Sequence, residues 1–403
     1  MRILMVSEDL PGERIGGLGK HVVTLANALV EAGHFVDILG RAEAVSAASA
    51  RQIGFRGRVL PGFSFTHVGW KELQLGFFNP YKRPFFARRI ARAIERHAGD
   101  YDVVHYHGHL PMTGRYVDPA LNFVQTRHDQ GSECVIHLRI KDGRRCDTVN
   151  AGDCAGCIHA APGAVRRALS GHAVERYRHE AADAFARHKT IFVSDFLRRA
   201  FVRAVPDADL ERTRVIHNFI SYPNLKSHAA HAGPVQRGVA LLVGRIDAGK
   251  GFGEFLAAAE GQLPPGTRVD IVGDGPLRAA LEQRHAGPQV RFLGWCANDE
   301  VIRRSAAAHV CVVPSVCEEP CATTILEALA LGRPCVALAQ GGSAELAAYQ
   351  YYDGQLQLAP TMAQLVECLA GLLRRDPVEL ALPDAFPMDV HHALPQILNC
   401  YAD

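Results

Sequence analysis

The chain has 403 residues, of which 48% are hydrophobic and 21% are charged. This length exceeds what a single hydrophobic core normally serves, so it predicts two domains, and the composition excludes an intrinsically disordered chain. A net charge of +2 gives no basis for binding nucleic acid.

The N-terminal segment and the cysteine content both bear on the cellular compartment. Met1–Val6 is an apolar run of strand length, without the longer apolar stretch and the cleavage site of a signal peptide. No run in the sequence approaches the roughly 20 apolar residues of a membrane span. Eleven cysteines, several of them in apolar segments, suit a reducing compartment. We therefore expect a cytoplasmic protein.

Short apolar runs alternate with helical patterns through the first half of the chain. Val22, Leu25 and Leu29 share one face of a helix expected over residues 21–32, which Gly33 ends. Strands are expected at residues 3–6, 36–39, 103–106, 122–126 and 190–193. This alternation predicts a doubly wound parallel sheet.

Glycines occupy the turn between the first strand and the first helix. Gly16 and Gly17 stand where a backbone would approach a phosphate at a helix N-terminus, so they are candidate ligand-binding residues. Strand-to-helix turns also use glycine for its backbone freedom alone, and a purely structural turn is the alternative.

Residues 70–96 combine aromatic side chains with arginines and lysines. The aromatic residues include Trp70, Phe77, Phe78 and Phe85. Such a segment suits a lipid-phosphate acceptor or peripheral contact with the inner face of a membrane. The alternative is an ordinary amphipathic helix that packs its aromatic side chains inward.

Histidines follow two of the expected strands. His105 and His107 alternate along one strand and face the same way, so they are potential metal ligands, although we favour hydrogen bonding in the wall of a cleft. His128 follows the strand at 122–126, and the carboxyl ends of strands line the ligand crevice of open α/β sheets. His128 is therefore a candidate catalytic residue, with a structural histidine as the alternative.

A cysteine-rich insert is expected over residues 130–160. It contains Cys134, Cys146, Cys154 and Cys157. In a reducing compartment this spacing favours a structural zinc site over disulfides, and His137 or His159 would be able to replace one thiolate. Unligated cysteines are one alternative, and an iron–sulfur cluster is a less favoured one.

The second half repeats the alternation of strands and helices. A polar stretch over 223–238 predicts an interdomain linker. Strands are expected at residues 240–243, 269–272, 290–292, 310–313 and 335–337. The expected domains are 1–222 and 236–385, with a final helix within 386–403.

Two segments of the second half contain the residue types that a nucleotide-sugar site needs. Gly244, Arg245 and Lys250 place two cations beside glycines, where they would hold a diphosphate. Glu319 and Glu327 would hold sugar and ribose hydroxyls, and a helix beginning at Leu326 would attract phosphate. The alternative for the cations is a solvated loop.

The order of these motifs is informative. It runs through the glycine turn, Val193-Ser194, Val215–Asn218, Gly244-Arg245 with Lys250-Gly251, Gly273–Pro276, and Glu319 with Glu327. In this order, and over most of its length, the chain resembles the retaining glycosyltransferase family 4. The resemblance implies the α/β GT-B fold, with two Rossmann-like doubly wound parallel-sheet domains facing across a cleft and the final helix crossing back to the first domain.

The resemblance also implies an activity and a set of binding residues. It implies a retaining transfer from a nucleotide-diphosphate sugar without a catalytic metal. Glu319 would contact the donor sugar, Glu327 the ribose, and the backbone of Cys321, Ala322 and Thr323 the sugar or phosphate. Many relatives have Phe-Gly where this chain has Cys321-Ala322. The resemblance does not identify the acceptor, which is a glycan, a lipid-linked molecule or a small molecule. The alternative functions are a catalytically inactive sugar-nucleotide-binding protein and a sugar-nucleotide epimerase of the GT-B fold.

Overall fold

A computed structural model describes residues 1–12, 15–64, 79–141, 144–159 and 161–402. The chain forms two compact units. The first comprises Met1–Arg139, Cys146–Asn218 and Val390–Asp403, and the second comprises Ile140–Arg145 and Phe219–Asp389. The final helix thus belongs to the first unit, although it follows the second in sequence.

The strands and helices of both units are numbered here in chain order. The strands are β1 (Arg2–Val6), β2 (Phe35–Arg41), β3 (Arg58–Phe63), β4 (Val103–His107), β5 (Phe123–Arg127), β6 (Ile140–Lys141), β7 (Arg144–Arg145), β8 (Lys189–Phe192), β9 (Thr213–Val215), β10 (Gln236–Val243), β11 (Arg268–Val272), β12 (Val290–Gly294), β13 (Ala308–Val313), β14 (Cys335–Leu338) and β15 (Leu356–Ala359). The helices are α1 (Gly17–Glu31), α2 (Ser49–Gln52), α3 (Arg83–Ala98), α4 (Ala155–Ile158), α5 (Ala164–Arg187), α6 (Asp195–Ala204), α7 (Tyr222–Ala229), α8 (Phe252–Ala259), α9 (Arg278–His285), α10 (Asn298–Ala307), α11 (Thr323–Ala330), α12 (Met362–Leu373) and α13 (Val390–Ala402).

The first unit is built on a seven-stranded parallel sheet. Its strand order is β3-β2-β1-β4-β5-β8-β9. The chain winds outward from β1 in one direction and then returns to add β4 on the other side. The order therefore reverses between β1 and β4, which is where open α/β sheets bind their ligands.

Helix α1 follows β1 and begins at Gly17, four residues before the expected start at His21. Its buried face includes the expected apolar positions Val22, Leu25 and Leu29. Gly16 is the N-cap residue, and it supplies no side-chain cap. The helix can begin this early because its first turn needs no apolar contact with the core.

Helix α13 packs within the first unit. The Asn122 side-chain amide donates to the Tyr401 carbonyl at 2.8 Å, and the rings of His105 and Tyr401 lie edge to face, 5.5 Å apart. His391 Nε2 lies 3.1 Å from Glu31 Oε2 on α1. These contacts attach the C-terminus of the chain to the sheet that contains its N-terminus.

The second unit is built on a six-stranded parallel sheet. Its strand order is β12-β11-β10-β13-β14-β15, so the order reverses between β10 and β13. The two strands β6 and β7 form a separate antiparallel pair. The predicted α/β class with two Rossmann-like parallel-sheet domains is confirmed.

The expected polar linker is not uniformly irregular. Its start forms α7, in which Tyr222 and Leu225 are buried. The Tyr222 amide donates to Asp389 Oδ1 at 2.9 Å, and its hydroxyl donates to the Pro383 carbonyl at 2.7 Å. Residues 222–229 are therefore helical, and the sequence did not reveal this helix because its short apolar face lies among polar residues.

The basic and aromatic segment divides in two. Trp70, Phe77 and Phe78 lie outside the described residues. In α3, Phe86 is buried in the core and Phe85 is 55% exposed, so the aromatic residues do not all pack inward. None of the helices in the described ranges is long and apolar enough to cross a membrane.

Candidate active site

The second unit gathers its predicted ligand-binding residues at the carboxyl ends of β10 and β13. The chain leaves β10 through Gly244, turns at residues 248–250, and enters α8 after Gly251. Gly251 has a left-handed backbone, and a Cβ there would lie 2.0 Å from the Pro314 carbonyl oxygen. Only glycine therefore lets the loop after β10 lie against the end of β13.

Lys250 and Glu319 meet at this point. The Lys250 ammonium forms an ion pair with Glu319 Oε1, and the Ser315 hydroxyl donates to the same oxygen at 2.9 Å. Burial alone would raise the pKa of Glu319, but the Lys250 charge lowers it below its usual value. Burial would likewise lower the pKa of Lys250, and Glu319 raises it instead. Both groups are therefore charged near neutral pH.

Arg245 stands beside this pair with most of its side chain in solvent. Its side chain is 67% exposed, and its Nε lies 3.5 Å from Asp247 Oδ2. Asp247 also accepts from the backbone amides of Gly249 and Lys250 at 3.0 and 3.2 Å, which fixes the turn that carries Lys250. The loop after β10 thus presents one paired cation and one exposed cation.

The helix after β13 begins earlier than the sequence suggested. Helix α11 starts at Thr323, with Ala322 as its N-cap residue, so the expected start at Leu326 was wrong. Glu327 consequently lies in the second turn, half-buried, while Cys321 and Ala322 are buried at the helix N-terminus. The backbone N–H groups of residues 321–323, which were predicted to contact sugar or phosphate, therefore lie at the positive end of a helix dipole.

The first unit gathers histidines at the corresponding edge of its own sheet. His21 lies on the second turn of α1, His107 ends β4, and His128 follows β5. His107 Nδ1 and His128 Nε2 are 3.0 Å apart, and the rings of His21 and His128 have centroids 4.6 Å apart. Sequence reasoning identified His107 and His128 but missed His21. The position of His21 depends on the early start of α1, which brings the first turns of this helix to the end of β1, and the sequence did not reveal that start.

His105 and His107 do not form a pair of metal ligands, which was the less favoured of their two interpretations. His105 bonds through Nδ1 to the Tyr401 hydroxyl at 2.7 Å and through Nε2 to the Thr126 hydroxyl at 2.8 Å. Both of its nitrogens are therefore occupied within the core. This arrangement agrees with the favoured interpretation of His105 as a hydrogen-bonded wall residue.

Burial keeps the clustered imidazoles neutral. It lowers the pKa of His21 and of His105 to about 3. It also lowers the pKa of His107 and His128 well below the usual value, with a smaller contribution from neighbouring histidines. At neutral pH each ring has one nitrogen that donates and one that accepts.

A second polar group lies beside the histidines. Asp129 Oδ2 is 2.8 Å from His109 Nδ1 and 3.1 Å from His137 Nδ1. Asp9 lies 3.3 Å from His109 Nε2, and Arg83 lies 3.0 Å from His137 Nε2. Each nitrogen of these two histidines already faces a protein group, so this group forms a closed network.

The cysteine-rich insert does not assemble the predicted four-thiolate centre. Within the described ranges, which include Cys134, Cys146, Cys154 and Cys157, no three of the sulfur atoms converge within 4.8 Å, and none forms a disulfide. The Arg178 guanidinium lies 3.7 Å from the Cys154 sulfur, where it would repel a metal cation. The residues present therefore do not fit a tetrahedral zinc site.

Buried arginines hold the insert instead. Arg83 donates to the carbonyls of Gly131 and Val135 at 2.9 and 2.7 Å. Arg178 donates to the carbonyls of Glu133 and Val149 at 2.9 and 2.7 Å. The two arginines come from α3 and α5, so the insert is fastened to the body of the first unit by charge-assisted hydrogen bonds.

Comparison with known proteins places the chain among sugar-transferring enzymes. A family model described as Glycosyltransferase Family 4 matches residues 15–222, and one described as Glycosyl transferases group 1 matches residues 237–375. A glycogen synthase of Mycobacterium tuberculosis is 28% identical over 362 residues, which cover 86% of this chain and 80% of that enzyme. A D-inositol 3-phosphate glycosyltransferase of Nocardioides is 29% identical over 366 residues, covering 83% and 73% of the two chains.

Solved structures resemble the whole chain. Anabaena HepE in complex with UDP and glucose has a TM-score of 0.63 at 17% identity, covering all of both chains. Sucrose-phosphate synthase of Thermosynechococcus elongatus also has a TM-score of 0.63, at 19% identity, covering 100% of this chain and 95% of that one. At these identities the likeness establishes the fold, which is the two-domain GT-B architecture.

Proposed function

The chain belongs to Glycosyltransferase Family 4 and is a glycosyltransferase, and we propose that it transfers a sugar from a nucleoside diphosphate sugar with retention of anomeric configuration and without a catalytic metal. The observation that carries this proposal is the ion pair of Lys250 with Glu319, placed beside Arg245 at the reversal point of the second unit's sheet. Two cations and a carboxylate at this position match the charges of a diphosphate and the hydroxyls of a sugar.

The second unit would bind the donor. Lys250 and Arg245 would neutralise the diphosphate as negative charge develops on it, and the N-terminus of α11 would add its dipole. Glu319 would accept hydrogen bonds from donor-sugar hydroxyls, and Glu327 from the ribose. Gly244 lets the backbone approach the phosphates, because its φ of +156° is one that other residues rarely adopt.

The first unit would contribute the acceptor side of the reaction. In the proposed step the bond from the anomeric carbon to the diphosphate oxygen breaks, and the acceptor oxygen bonds to the same face of that carbon. The acceptor's proton passes to the leaving phosphate oxygen, so no protein base is consumed. As a neutral imidazole, His128 would orient a sugar hydroxyl. Gly16 and Gly17 would contact the phosphate and the acceptor, which would be a glycan, a lipid-linked molecule or a small molecule.

Helix α3 would assist a lipid-linked acceptor. It exposes Arg88 and Arg92, and the half-buried Arg89 lies 5.7 Å from the ring centre of the exposed Phe85. Cations beside an exposed aromatic ring suit anionic headgroups, so peripheral contact with a membrane forms part of the proposal for such an acceptor.

Turnover with purified protein tests the proposal. UDP-, GDP- and ADP-sugars are first screened by thermal shift, since a ligand of the folded state raises the unfolding temperature. The stabilising donor is then supplied with candidate acceptors, and release of the nucleotide is measured. We expect Lys250→Ala to abolish transfer and Lys226→Ala to leave it unchanged, because Lys226 pairs with Asp384 on the surface.

Two outcomes would contradict the proposal. Equal turnover of the Lys250→Ala and Lys226→Ala variants would remove Lys250 from the donor site. Tight donor binding without transfer or hydrolysis across all acceptors would identify a binding protein instead of a transferase.

A further inference from the structure

Three histidines of the first unit bring their ring nitrogens close together. His21, His107 and His128 each place one ring nitrogen within 4.8 Å of the others. They come from three separate elements, α1, β4 and the loop after β5, so the convergence is a property of the fold and not of a local sequence motif. Three imidazoles with one open position is the ligand set of a common class of zinc site.

The group also contains a buried nitrogen with no hydrogen bond. Nε2 of His107 has no hydrogen-bond partner among the described residues, although the side chain is fully buried. A buried polar atom left in this way costs roughly 1–3 kcal/mol, and the 3.0 Å contact with His128 uses the other nitrogen of this ring, so a metal ion takes only one of the two atoms. The neighbouring His105 offers no such opening, because both of its nitrogens are bonded.

The distances are compatible with a metal after small side-chain movements. Tetrahedral coordination at about 2.0–2.1 Å requires nitrogens roughly 3.4 Å apart. The pair formed by His107 Nδ1 and His128 Nε2 is already 3.0 Å apart. Arg127 precedes His128 in the sequence and forms an ion pair with Asp129 at 3.2 Å, so the carboxylate neutralises this positive charge next to the three histidines.

We propose that His21, His107 and His128 form a binding site for a divalent transition metal such as Zn²⁺, with a fourth coordination position open. Imidazole ligands without a carboxylate select Zn²⁺, Co²⁺, Ni²⁺ and Cu²⁺ over Mg²⁺ and Ca²⁺. A metal bound to Nε2 of His128 leaves only a hydrogen-bond donor at Nδ1 for a sugar hydroxyl, so the bound metal inhibits transfer. The binding rests on the geometry alone, and only the inhibition rests on the proposed function.

Titration with Co²⁺ tests the binding without reference to activity. The protein is prepared without a histidine tag and stripped of metal, and the visible spectrum is followed as Co²⁺ is added. We expect one Co²⁺ per chain with d–d bands of nitrogen and oxygen coordination and no thiolate charge-transfer band. Mg²⁺ in excess leaves that spectrum unchanged. A thiolate band that disappears in Cys146→Ser would place the metal on the cysteines and overturn the proposal.

Variants locate the ligands. His21→Gln and His107→Gln are each expected to weaken Co²⁺ binding by about tenfold or more, since even outer-shell changes cost 10- to 100-fold. His137→Gln, in the closed network, is the matched control and retains the affinity. Unchanged affinity in both His21→Gln and His107→Gln overturns the site. The spectrum of the unaltered protein identifies the ligand type even where a variant fails to fold.

The inhibition is measured separately. With one equivalent of Zn²⁺ bound, we expect transfer to fall at least tenfold and to return when a chelator removes the metal. Full transfer with the site occupied overturns the inhibitory role. Absence of transfer from the metal-free protein would instead count against the proposed function, so the two failures are distinguishable.

Discussion

Replacing Arg83 tests how the cysteine-rich insert is held. Its fully buried guanidinium donates to the carbonyls of Gly131, Cys134 and Val135 and lies 4.2 Å from the ring centre of Tyr177. Each buried carbonyl that loses its donor costs roughly 1–3 kcal/mol. Because all three carbonyls lose the same donor, we expect Arg83→Met to lower the free energy of unfolding by about 3 kcal/mol or more.

Urea unfolding measures the loss, and limited proteolysis shows whether cleavage concentrates within residues 130–160. Arg92→Met is the matched control, because Arg92 lies on the exposed face of the same helix. A chelator is added to the unaltered protein in a parallel proteolysis series, and it is expected to leave cleavage within residues 130–160 unchanged. The reasoning is refuted if the two arginine variants unfold within 1 kcal/mol of each other, or if the chelator alone loosens the insert.

Three further predictions follow from single side chains. Burial raises the pKa of Glu133 from 4.5 to about 8, so between these values the folded protein keeps a proton that the unfolded chain has released, and stability falls as pH rises. Glu133→Gln should therefore remove about 3–5 kcal/mol of pH dependence between pH 4.5 and 8 in urea unfolding, and an unaltered slope would contradict this. His128→Gln should lower kcat by about 10²-fold or more, because the sugar hydroxyl is misplaced, with unchanged affinity for the nucleoside diphosphate, whereas His179→Gln at an exposed position of α5 should change neither value. Glu319→Gln removes the carboxylate that neutralises Lys250, so calorimetry should show the nucleoside diphosphate of the stabilising donor binding about fivefold tighter, for about 1 kcal/mol, while transfer falls. Weaker binding of that nucleotide by the variant would contradict the competition between Glu319 and the diphosphate for Lys250.

The central strands were predictable from sequence because both faces of a parallel sheet are covered. β14 is buried along its whole length and β1 along all but its first residue, and both appear in the sequence as apolar runs. Both edge strands of the first sheet were missed for the opposite reason. β3 contains Pro61 and Gly62, and β9 has only three residues, so neither shows the pattern of a buried strand.

The candidate site was predictable only where its residues lie in sequence motifs. Lys250 and Glu319 were identified by their surroundings, and the structure brings them into contact. His21 has no motif of its own, because its position depends on where α1 begins. Asp129 was likewise missed, since its role depends on His137, which lies in the insert and whose backbone has a positive φ. Contacts set by loop conformation cannot be read from spacing alone.

The two units place different chemistry at the same position of the same kind of sheet. At the reversal point of the second unit, the side chains are charged, with Lys250 and Glu319 both ionised near neutral pH. At the reversal point of the first unit, His107 is buried, His128 is half-buried, and both are neutral. A diphosphate requires fixed charge because its own charge grows as the sugar leaves. A sugar hydroxyl requires a donor and an acceptor without net charge, which a neutral imidazole supplies. This difference in charge is the basis on which we propose that the donor binds to one unit and the sugar hydroxyl to the other.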